Sequence, residues 1–385
     1  MSLKGYKIRL YPTKEQEEKI WKHINGCRFI WNYMLELQIK NHEAGNKQIK
    51  NNDLIKLIPQ MKKTEEYAWL SELSNGSMQA TIGKLTDAYS RFFSNIAGYP
   101  KYKSKKSAKK SYQIRSDCMY FKENTVFIQK IGHVRYKSDF VFKTGPNIKH
   151  YNIRLHFRNN KYILTFTMES ENQATTCKSG SMGIDLGVKE LATVAFNDEC
   201  FVFHNINKSK RMKTLDKRIR TIQRSISRKY KEAKKKTGRF EKSNNIIKQE
   251  ETLRKLRNKV TNIRLNYIHQ TTRFLVNKNP ERIVMEGLDV AHMLKDKHLR
   301  KQIQDQNFSE IFRQMEYKCQ SAHIDLVKAD RYFPSSKLCS SCNHLKPELK
   351  LSDRIYTCQY CGLRIDRDYN AAINLMKYMT QTEES

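Results

Sequence analysis

The order of strand-like and helix-like segments after residue 180 constrains the fold more than any other feature of the sequence. Three short apolar runs, MGIDLGV, LATVAF and CFVFH, follow one another as strands. A helical stretch at about 208–276, broken at KKKTGR, leads to a fourth strand, ERIVMEG. A helix (FSEIFRQMEYKCQSA), a fifth strand (IDLVKA) and a terminal helix (YNAAINLMKYM) complete the order. Three strands, helix, strand, helix, strand, helix predicts an RNase H-like fold over residues 176–385.

The first 175 residues have different patterns. Residues 1–12 alternate as in a strand, and Thr13 followed by Gln16 has the sequence of a helix capping box. Apolar residues then recur every three or four positions, which predicts a helical domain over 13–98. From 99 to 175 the helical period is lost, and short β-branched and aromatic runs predict strands. We therefore predict a small β-barrel or sheet there, to which the first strand returns.

The net charge excludes several classes of protein. The 385 residues include 73 Lys+Arg and 39 Asp+Glu, a formal net charge of +34. Solubility of a small domain needs a net charge of only about 2–8, so the excess indicates a polyanionic partner. Aromatic residues make up 10% of the chain, too many for a disordered basic tail. No apolar run or secretory pattern indicates a membrane protein or an exported one, so we expect a cytoplasmic location.

Two segments concentrate the positive charge. Between Lys208 and Arg264 there are 22 Lys+Arg and five Asp+Glu, a net +17. Few acids are available there for i,i+4 pairing, so this helical hairpin is predicted to line a phosphate channel, the alternative being a solvated helix face. Residues 99–112 place six lysines among tyrosines, a composition suited to phosphates and stacked bases. The basic residues predicted to contact nucleic acid are Lys101, Lys103, Lys105, Lys106, Arg218, Arg224 and Arg228.

Four of the nine cysteines form two Cys-x-x-Cys pairs separated by fifteen residues: Cys339, Cys342, Cys358 and Cys361. In a reducing compartment this spacing is typical of a structural zinc site. Asn343 and Gly362 follow the pairs where a knuckle turn requires a positive φ, which Asn and Gly tolerate. The alternatives are disulfides or a core cysteine cluster, and His344 is an unneeded fifth candidate ligand. We predict one Zn²⁺ in an insertion at 336–364.

The positions of four acids indicate a second metal site. Asp185 lies in the first strand of the RNase H-like order, Glu286 ends the fourth strand, and Asp366 and Asp368 precede the last helix. In that topology the first and fourth strands are adjacent and the last helix packs over them, so three carboxylates converge. They would repel one another unless Mg²⁺ neutralised them, and two ions ~4 Å apart can catalyse phosphodiester hydrolysis. Alternatively, Asp366 is a helix N-cap and Glu286 a solvated strand end.

These motifs resemble the TnpB family, RNA-guided nucleases of small bacterial insertion sequences that are related to type V CRISPR effectors. The resemblance rests on GIDLGVK, VMEGLDV and RYFPSSKLCSSC…YTCQYCGLRIDRDYNAAINL, together with KGYKIRLYPTKEQEEKIWKHINGCRFIWNYML and GYPKYKSKK. It spans nearly the whole chain and is most specific in the last fifty residues. The one departure is Asn343, where a glycine is usual.

The resemblance implies an architecture and a set of site residues. It implies a wedge β-domain (1–12 and 99–175) interrupted by a helical recognition domain, then a RuvC nuclease domain with a zinc-binding insertion. The catalytic Mg²⁺ ligands implied are Asp185, Glu286 and Asp368. Asp368 is preferred to Asp366 because the family's ligand stands two residues before an asparagine, here Asn370.

The resemblance also implies nucleic-acid partners. One is a guide RNA transcribed from the end of the transposable element, bound by a protein monomer. The other is double-stranded target DNA, which pairs with the guide beside a short motif that the protein reads as duplex. Gln79 and Lys84 are expected to face that motif, the alternative being an ordinary exposed helix face.

The sequence therefore predicts an RNA-guided, Mg²⁺-dependent DNA endonuclease of a transposable element. One alternative is a DNA-binding regulator that uses the guide RNA without cleavage, a role suited to relatives that lack the acids. Another is a conventional DDE transposase. Such enzymes place Asp on the fourth strand and Glu on the final helix, the reverse of the order in this chain.

Overall fold

The computed structural model describes residues 2–105, 109–138, 140, 142, 148–170, 179–238, 242–349 and 353–378. Structural statements below refer to these residues. The chain divides into two compact units, Met1–Glu171 and Asn172–Ser385.

The first unit is built on a seven-stranded antiparallel sheet with the strand order β2-β6-β7-β1-β5-β4-β3. β1 pairs with β7 from Ser2↔Ser170 to Leu10↔Tyr162, and with β5 on its other side. The first strand therefore returns to the later strands, as the sequence predicted. The strands are β1 (Ser2–Tyr11), β2 (Ser111–Gln113), β3 (Met119–Lys122), β4 (Thr125–Ile128), β5 (Gly132–Lys137), β6 (Tyr151–Arg158) and β7 (Lys161–Ser170).

Three α-helices lie between β1 and β2 in the chain: α1 (Lys14–Glu43), α2 (Asn51–Lys63) and α3 (Asn75–Phe93). The capping box at the start of α1 is formed, with the Thr13 hydroxyl accepting from the Gln16 N–H and the Gln16 side chain accepting from the Thr13 N–H. These helices share an apolar core, and the first half of α1 also packs into the core of the sheet through Ile20, Ile24 and Cys27. Burial of one apolar face per helix explains the period of three to four residues in the sequence.

The second unit contains a five-stranded sheet with the order β10-β9-β8-β11-β12. Its strands are β8 (Ser181–Leu186), β9 (Glu190–Phe196), β10 (Glu199–His204), β11 (Arg282–Met285) and β12 (Asp325–Lys328). The first three are antiparallel neighbours, whereas β11 runs parallel to both β8 and β12. The first and fourth strands of this unit are therefore adjacent, as predicted.

Six α-helices surround or extend from this sheet: α4 (Lys210–Thr237), α5 (Asn244–Asn277), α6 (Val290–Met293), α7 (Arg300–Gln306), α8 (Phe308–Ala322) and α9 (Arg367–Met376). α4 and α5 form the basic hairpin, and α4 ends at Gly238, which has φ +67°. Ser209 and Ser243 cap the two helices through their side chains. None of the helices in the described ranges is long and apolar enough to cross a membrane.

A two-stranded antiparallel hairpin, β13 (Ile355–Thr357) and β14 (Arg364–Asp366), leads directly into α9. Short 3₁₀ turns occupy Glu65–Glu72, Ser116–Cys118 and Ile206–Lys208. The turn between β13 and β14 contains the second cysteine pair, so this pair is followed in the chain directly by β14 and α9.

Candidate metal centres and basic surfaces

Sheet register brings Asp185 and Glu286 side by side. Ile184 of β8 is paired in parallel register with Met285 of β11. Asp185 is the next residue of β8, and Glu286 directly follows the end of β11, so the two carboxyl groups lie beside each other. Asp368 joins them from the first turn of α9. The structure therefore brings together the three acids that the sequence singled out.

Two glycines beside the acids allow this approach. A Cβ at Gly183 on β8 would collide with the backbone of Ala372 and Met376, so only glycine lets α9 lie directly on the strand. A Cβ at Gly287 would collide with the carbonyl of Ala329. Sequence reasoning missed both, although each glycine stands within two residues of an acid.

The three carboxylates interact electrostatically. The pKa of Asp185 lies well above its ordinary value because of burial first, then the charges of Glu286 and Asp368, while the Arg367 guanidinium opposes the shift. Burial also raises the pKa of Glu286, and a hydrogen bond with Asp185 opposes that rise. Burial thus favours the protonated forms of Asp185 and Glu286, and a cation bound between them would favour their ionised forms.

The donor set fits magnesium, since Mg²⁺ prefers carboxylate oxygen ligands and keeps several waters. Among the described residues, the four cysteines meet the distance expected of a metal-ligand group, whereas Asp185, Glu286 and Asp368 are not gathered as closely.

Asp366 and Asp368 have different positions, although only one residue separates them. The Asp366 side chain accepts hydrogen bonds from the N–H groups of Asp368 at 2.9 Å and Tyr369 at 3.1 Å, which is the N-cap of α9. The cap function predicted for Asp366 is thus confirmed, and its carboxylate is engaged at the start of α9.

The four cysteines form one compact cluster whose ligand atoms lie within 4.8 Å of one another. The Sγ atoms of Cys339 and Cys361 are 3.6 Å apart, as are those of Cys342 and Cys358. Disulfide sulfurs would be about 2.05 Å apart. A tetrahedral Zn–S distance of ~2.3 Å places sulfurs ~3.8 Å apart, so the cluster fits zinc.

The turns of the two cysteine pairs have the predicted backbone conformation. Asn343 has φ +59° and Gly362 has φ +74°. The N–H of Asn343 donates to the Cys339 carbonyl, and that of Gly362 donates to the Cys358 carbonyl. The two turns are therefore alike, and Asn343 adopts the conformation usually given to glycine.

The lysine–tyrosine segment is only partly free to bind phosphate. Lys101 and Lys105 are exposed. Lys103 is half-buried, with its Nζ 3.2 Å from the centroid of the Trp31 ring, and burial lowers its pKa to about 8. Its main chain also exchanges two hydrogen bonds with Asn32. Lys103 thus contributes to packing, while Lys106 lies outside the described residues.

The residues predicted to read a DNA motif lie on α3. Gln79 accepts a hydrogen bond from Arg115 Nη1 at 2.7 Å, and Arg115 is also paired with Asp117. Lys84 is half-buried on the same helix. Gln79 is therefore tied to a network that sequence reasoning did not foresee.

Two basic concavities are present in the described chain. In the first unit, a cavity of about 310 Å³ is lined by Trp21, Ile24, Asn25, Arg28, Lys105, Lys109 and Lys110. On α4, an open groove is lined by Arg220, Gln223, Arg224, Ser227 and Arg228. Arg224 and Arg228 thus share one side of the helix, and their contact with phosphates stays a prediction. Arg218 is exposed but points to a different side of α4, at 100° per residue.

Three family models match the chain. Residues 1–47 match a model described as a helix-turn-helix domain, although the structure has one continuous helix there. Residues 165–297, which contain Asp185 and Glu286, match a model described as a probable transposase. Residues 308–375, which contain the four cysteines and Asp368, match the Cas12f1-like TNB domain.

Similar proteins cover nearly the whole chain. The provisionally named RNA-guided DNA endonuclease InsQ of Escherichia coli K12 is 30% identical over 97% of this chain and 92% of its own. A protein of Streptomyces pristinaespiralis with the same provisional description is 27% identical over 97% and 88%. The TnpB-like protein L770 of Acanthamoeba polyphaga mimivirus is 25% identical over 96% and 72%. The likeness to InsQ extends over both units, and the chain belongs to the TnpB family.

Proposed function

We propose that this protein is an RNA-guided DNA endonuclease of a transposable element. The observation that carries the proposal is the convergence of Asp185, Glu286 and Asp368 from β8, the end of β11 and α9. The names of the relatives with the same span, and the net charge of +34, support the same activity. The strand order and the parallel pairing of β8 with β11 support a RuvC-like nuclease domain in the second unit, and the first unit supplies the wedge and recognition domains.

Three carboxylates are proposed to hold two Mg²⁺ ions against the scissile phosphate. When bound, such a pair activates a water molecule and stabilises the leaving 3′ oxygen. Asp185 is central, because its carboxyl group interacts with both Glu286 and Asp368. Burial raises the pKa of both Asp185 and Glu286, so cation binding would have to favour the loss of protons from these two groups.

The cysteine cluster is proposed to hold one structural Zn²⁺. Four thiolates complete a tetrahedral shell and leave no open position for a substrate. Cys339 and Cys358 are buried within this small cluster, together with Tyr356. A segment of this size has too small an apolar core to fold by itself, so the metal would supply the missing stability.

The basic surfaces are proposed to hold the guide RNA and the target DNA. The α4 groove and the exposed lysines of 99–112 offer phosphate contacts that do not depend on base sequence. Sequence specificity would then come from base pairing with the guide. The order Asp, Glu, Asp argues against a DDE transposase, although the family model that matches residues 165–297 describes a probable transposase.

A cleavage assay with neighbouring variants tests the proposal. With its cognate RNA and Mg²⁺, the protein should cut a plasmid that carries a matched target. Asp368→Asn should lower cleavage by a factor of at least ~10³, because the metal loses a charged ligand. Asp366→Asn is the matched control: Asn caps helices as well as Asp, so this variant should keep most of the activity.

Asp368→Asn and Asp366→Asn should differ in cleavage activity but bind the RNA with the same affinity, measured by filter retention. Wild-type cleavage by Asp368→Asn would refute the assignment of the site. Target binding without cleavage by the wild-type chain would instead favour a guide-dependent regulator, and strand-joining products would favour a transposase.

A further inference from the structure

The helix that carries Asp368 also contains two buried asparagines whose side chains have no part in the proposed chemistry. Asn370 is 0% exposed and Asn374 is 2% exposed. They lie one helical turn apart, on the same side of α9. A buried amide is costly unless its donors and acceptor are paired, so the partners of these side chains show what the residues do.

Both side chains bind the main chain around the first cysteine of the cluster. Asn370 donates from Nδ2 to the Leu338 carbonyl at 2.7 Å and accepts at Oδ1 from the Ser340 N–H at 3.0 Å. Asn374 donates to the carbonyls of Leu338 and Ser335, each at 2.7 Å. One side of α9 is thus fastened to the peptide units that bracket Cys339.

A third side chain of the same segment extends this contact. Lys377, just after α9, donates from Nζ to the Ser340 carbonyl at 2.6 Å. Ser335 and Ser340 are each 6% exposed and Cys339 is 0% exposed. The partners of the two asparagines are therefore largely shielded from water, which makes those hydrogen bonds costly to break, whereas Lys377 itself is exposed.

The contacts connect two metal centres through one short helix. Asp368 stands two residues before Asn370, a rise of about 3 Å along the helix axis. α9 is also held against β8, since Gly183 leaves no gap between them. A displacement of the first cysteine pair would therefore move the turn that presents Asp368 to Asp185 and Glu286.

We propose that Asn370 and Asn374 are positioning residues that couple the metal state of the four-cysteine cluster to the geometry of the acid trio. A metal ion at the cysteines fixes the main chain at 338–340. Through their hydrogen bonds to this main chain, the two asparagines hold α9 in position. Asp368, in the first turn of α9, is thereby placed to act as a cation ligand. The inference rests on the proposed function, because it assigns a cation to the acids. Reciprocity requires that a cation at the acids also strengthens zinc binding at the cysteines.

Manganese binding to the full-length chain tests the coupling without a cleavage assay. Mn²⁺ would be titrated by electron paramagnetic resonance, and the acid site defined as the signal that Asp185→Asn removes. In the zinc-loaded protein, the double variant N370A/N374A should bind Mn²⁺ about 10–100-fold more weakly than wild type, as is usual for lost outer-shell support. Removal of zinc by a chelator should weaken Mn²⁺ binding in the wild type by a similar factor and change it little in the variant.

Gln38→Ala is the matched control. Gln38 is 4% exposed on α1 and exchanges two hydrogen bonds with the main chain of Ile49, so the variant also loses a buried amide and its backbone partners. It should lower the melting temperature but leave the affinity for Mn²⁺ and its dependence on zinc unchanged. Should N370A/N374A not fold, Asn374→Ala keeps the Asn370 pair, and a smaller loss of Mn²⁺ affinity is expected.

Three results would overturn the coupling. One is wild-type Mn²⁺ affinity in a folded asparagine variant. The second is a wild-type Mn²⁺ affinity that does not change when zinc is removed, with the fold checked by circular dichroism. The third, absence of any Mn²⁺ site that depends on Asp185, would overturn the nuclease proposal as well, whereas the first two leave that proposal intact.

Discussion

Asp185 experiences burial and the charges of two neighbouring carboxylates at once. Burial is the larger cause, and all three effects favour the protonated acid. In its proposed role as a cation ligand Asp185 would have to be ionised, so its charge is unfavourable in the metal-free fold and would be favourable in a metal-bound one. The protonation of Asp185 should therefore make the stability of the fold depend on both pH and bound cation.

The free energy of unfolding should therefore depend on pH through Asp185. Its folded-state pKa lies above the ordinary value of 3.8, so the folded state binds more protons than the unfolded state once the pH exceeds that value. Without divalent cations, stability should fall as the pH rises from about 4 towards the raised pKa. Urea unfolding at several pH values should show this slope, and Asp185→Asn should lack that component. Mg²⁺ should diminish this loss of stability because it favours the ionised carboxylate. An identical dependence of stability on pH in Asp185→Asn would contradict the assignment of this effect to Asp185.

At the scale of secondary structure, some of the positive charges of α4 form a row along one side of the helix. Arg220, Arg224 and Arg228 recur every four residues, so they lie about 6 Å apart along one side of the helix. Arg220 is paired with Asp216, whereas the groove continues along the helix past that pair. A short row of this kind suits consecutive phosphates of one nucleic-acid strand.

Removal of the groove cations should change the salt dependence of RNA binding. Arg224→Gln combined with Arg228→Gln should reduce the slope of log K against log salt by about 1.4–1.8, since each phosphate contact contributes about 0.7–0.9. Arg211→Gln combined with Arg218→Gln removes the same charge from another side of α4. That pair should change the slope much less, and equal effects of the two pairs would show that only net charge matters.

For the whole molecule, the net charge of +34 opposes compactness unless a polyanion is bound. Anions that bind the folded chain stabilise it by mass action. We therefore expect the chain to be more stable in the proposed complex with nucleic acid than alone.

The expressed protein should accordingly copurify with RNA at low salt. Its absorbance ratio at 260 and 280 nm should exceed that of pure protein, and nuclease treatment should lower the melting temperature. Sequencing of the bound RNA would identify the guide. A clean protein spectrum after mild purification, with no thermal shift on adding RNA, would contradict this prediction.

Local sequence carried much of the information about this protein. Several features could be read from short stretches of sequence because each depends on neighbours within a few positions. They are the two Cys-x-x-Cys pairs, the turn residues Asn343 and Gly362, and the capping residues Thr13 and Asp366. The order of strands and helices was readable for the same reason, because each segment has its own hydrophobic period. The family resemblance added the choice of Asp368 over Asp366.

Tertiary structure alone decided how distant segments meet. No local pattern shows that Gly183 must admit α9, that Asn370 and Asn374 bind the chain beside Cys339, or that Lys103 packs on Trp31. These contacts join residues between about 30 and 190 positions apart in the sequence. The physical reason is that a periodic pattern records which residues are buried, whereas the partner of a buried residue depends on packing of the complete fold.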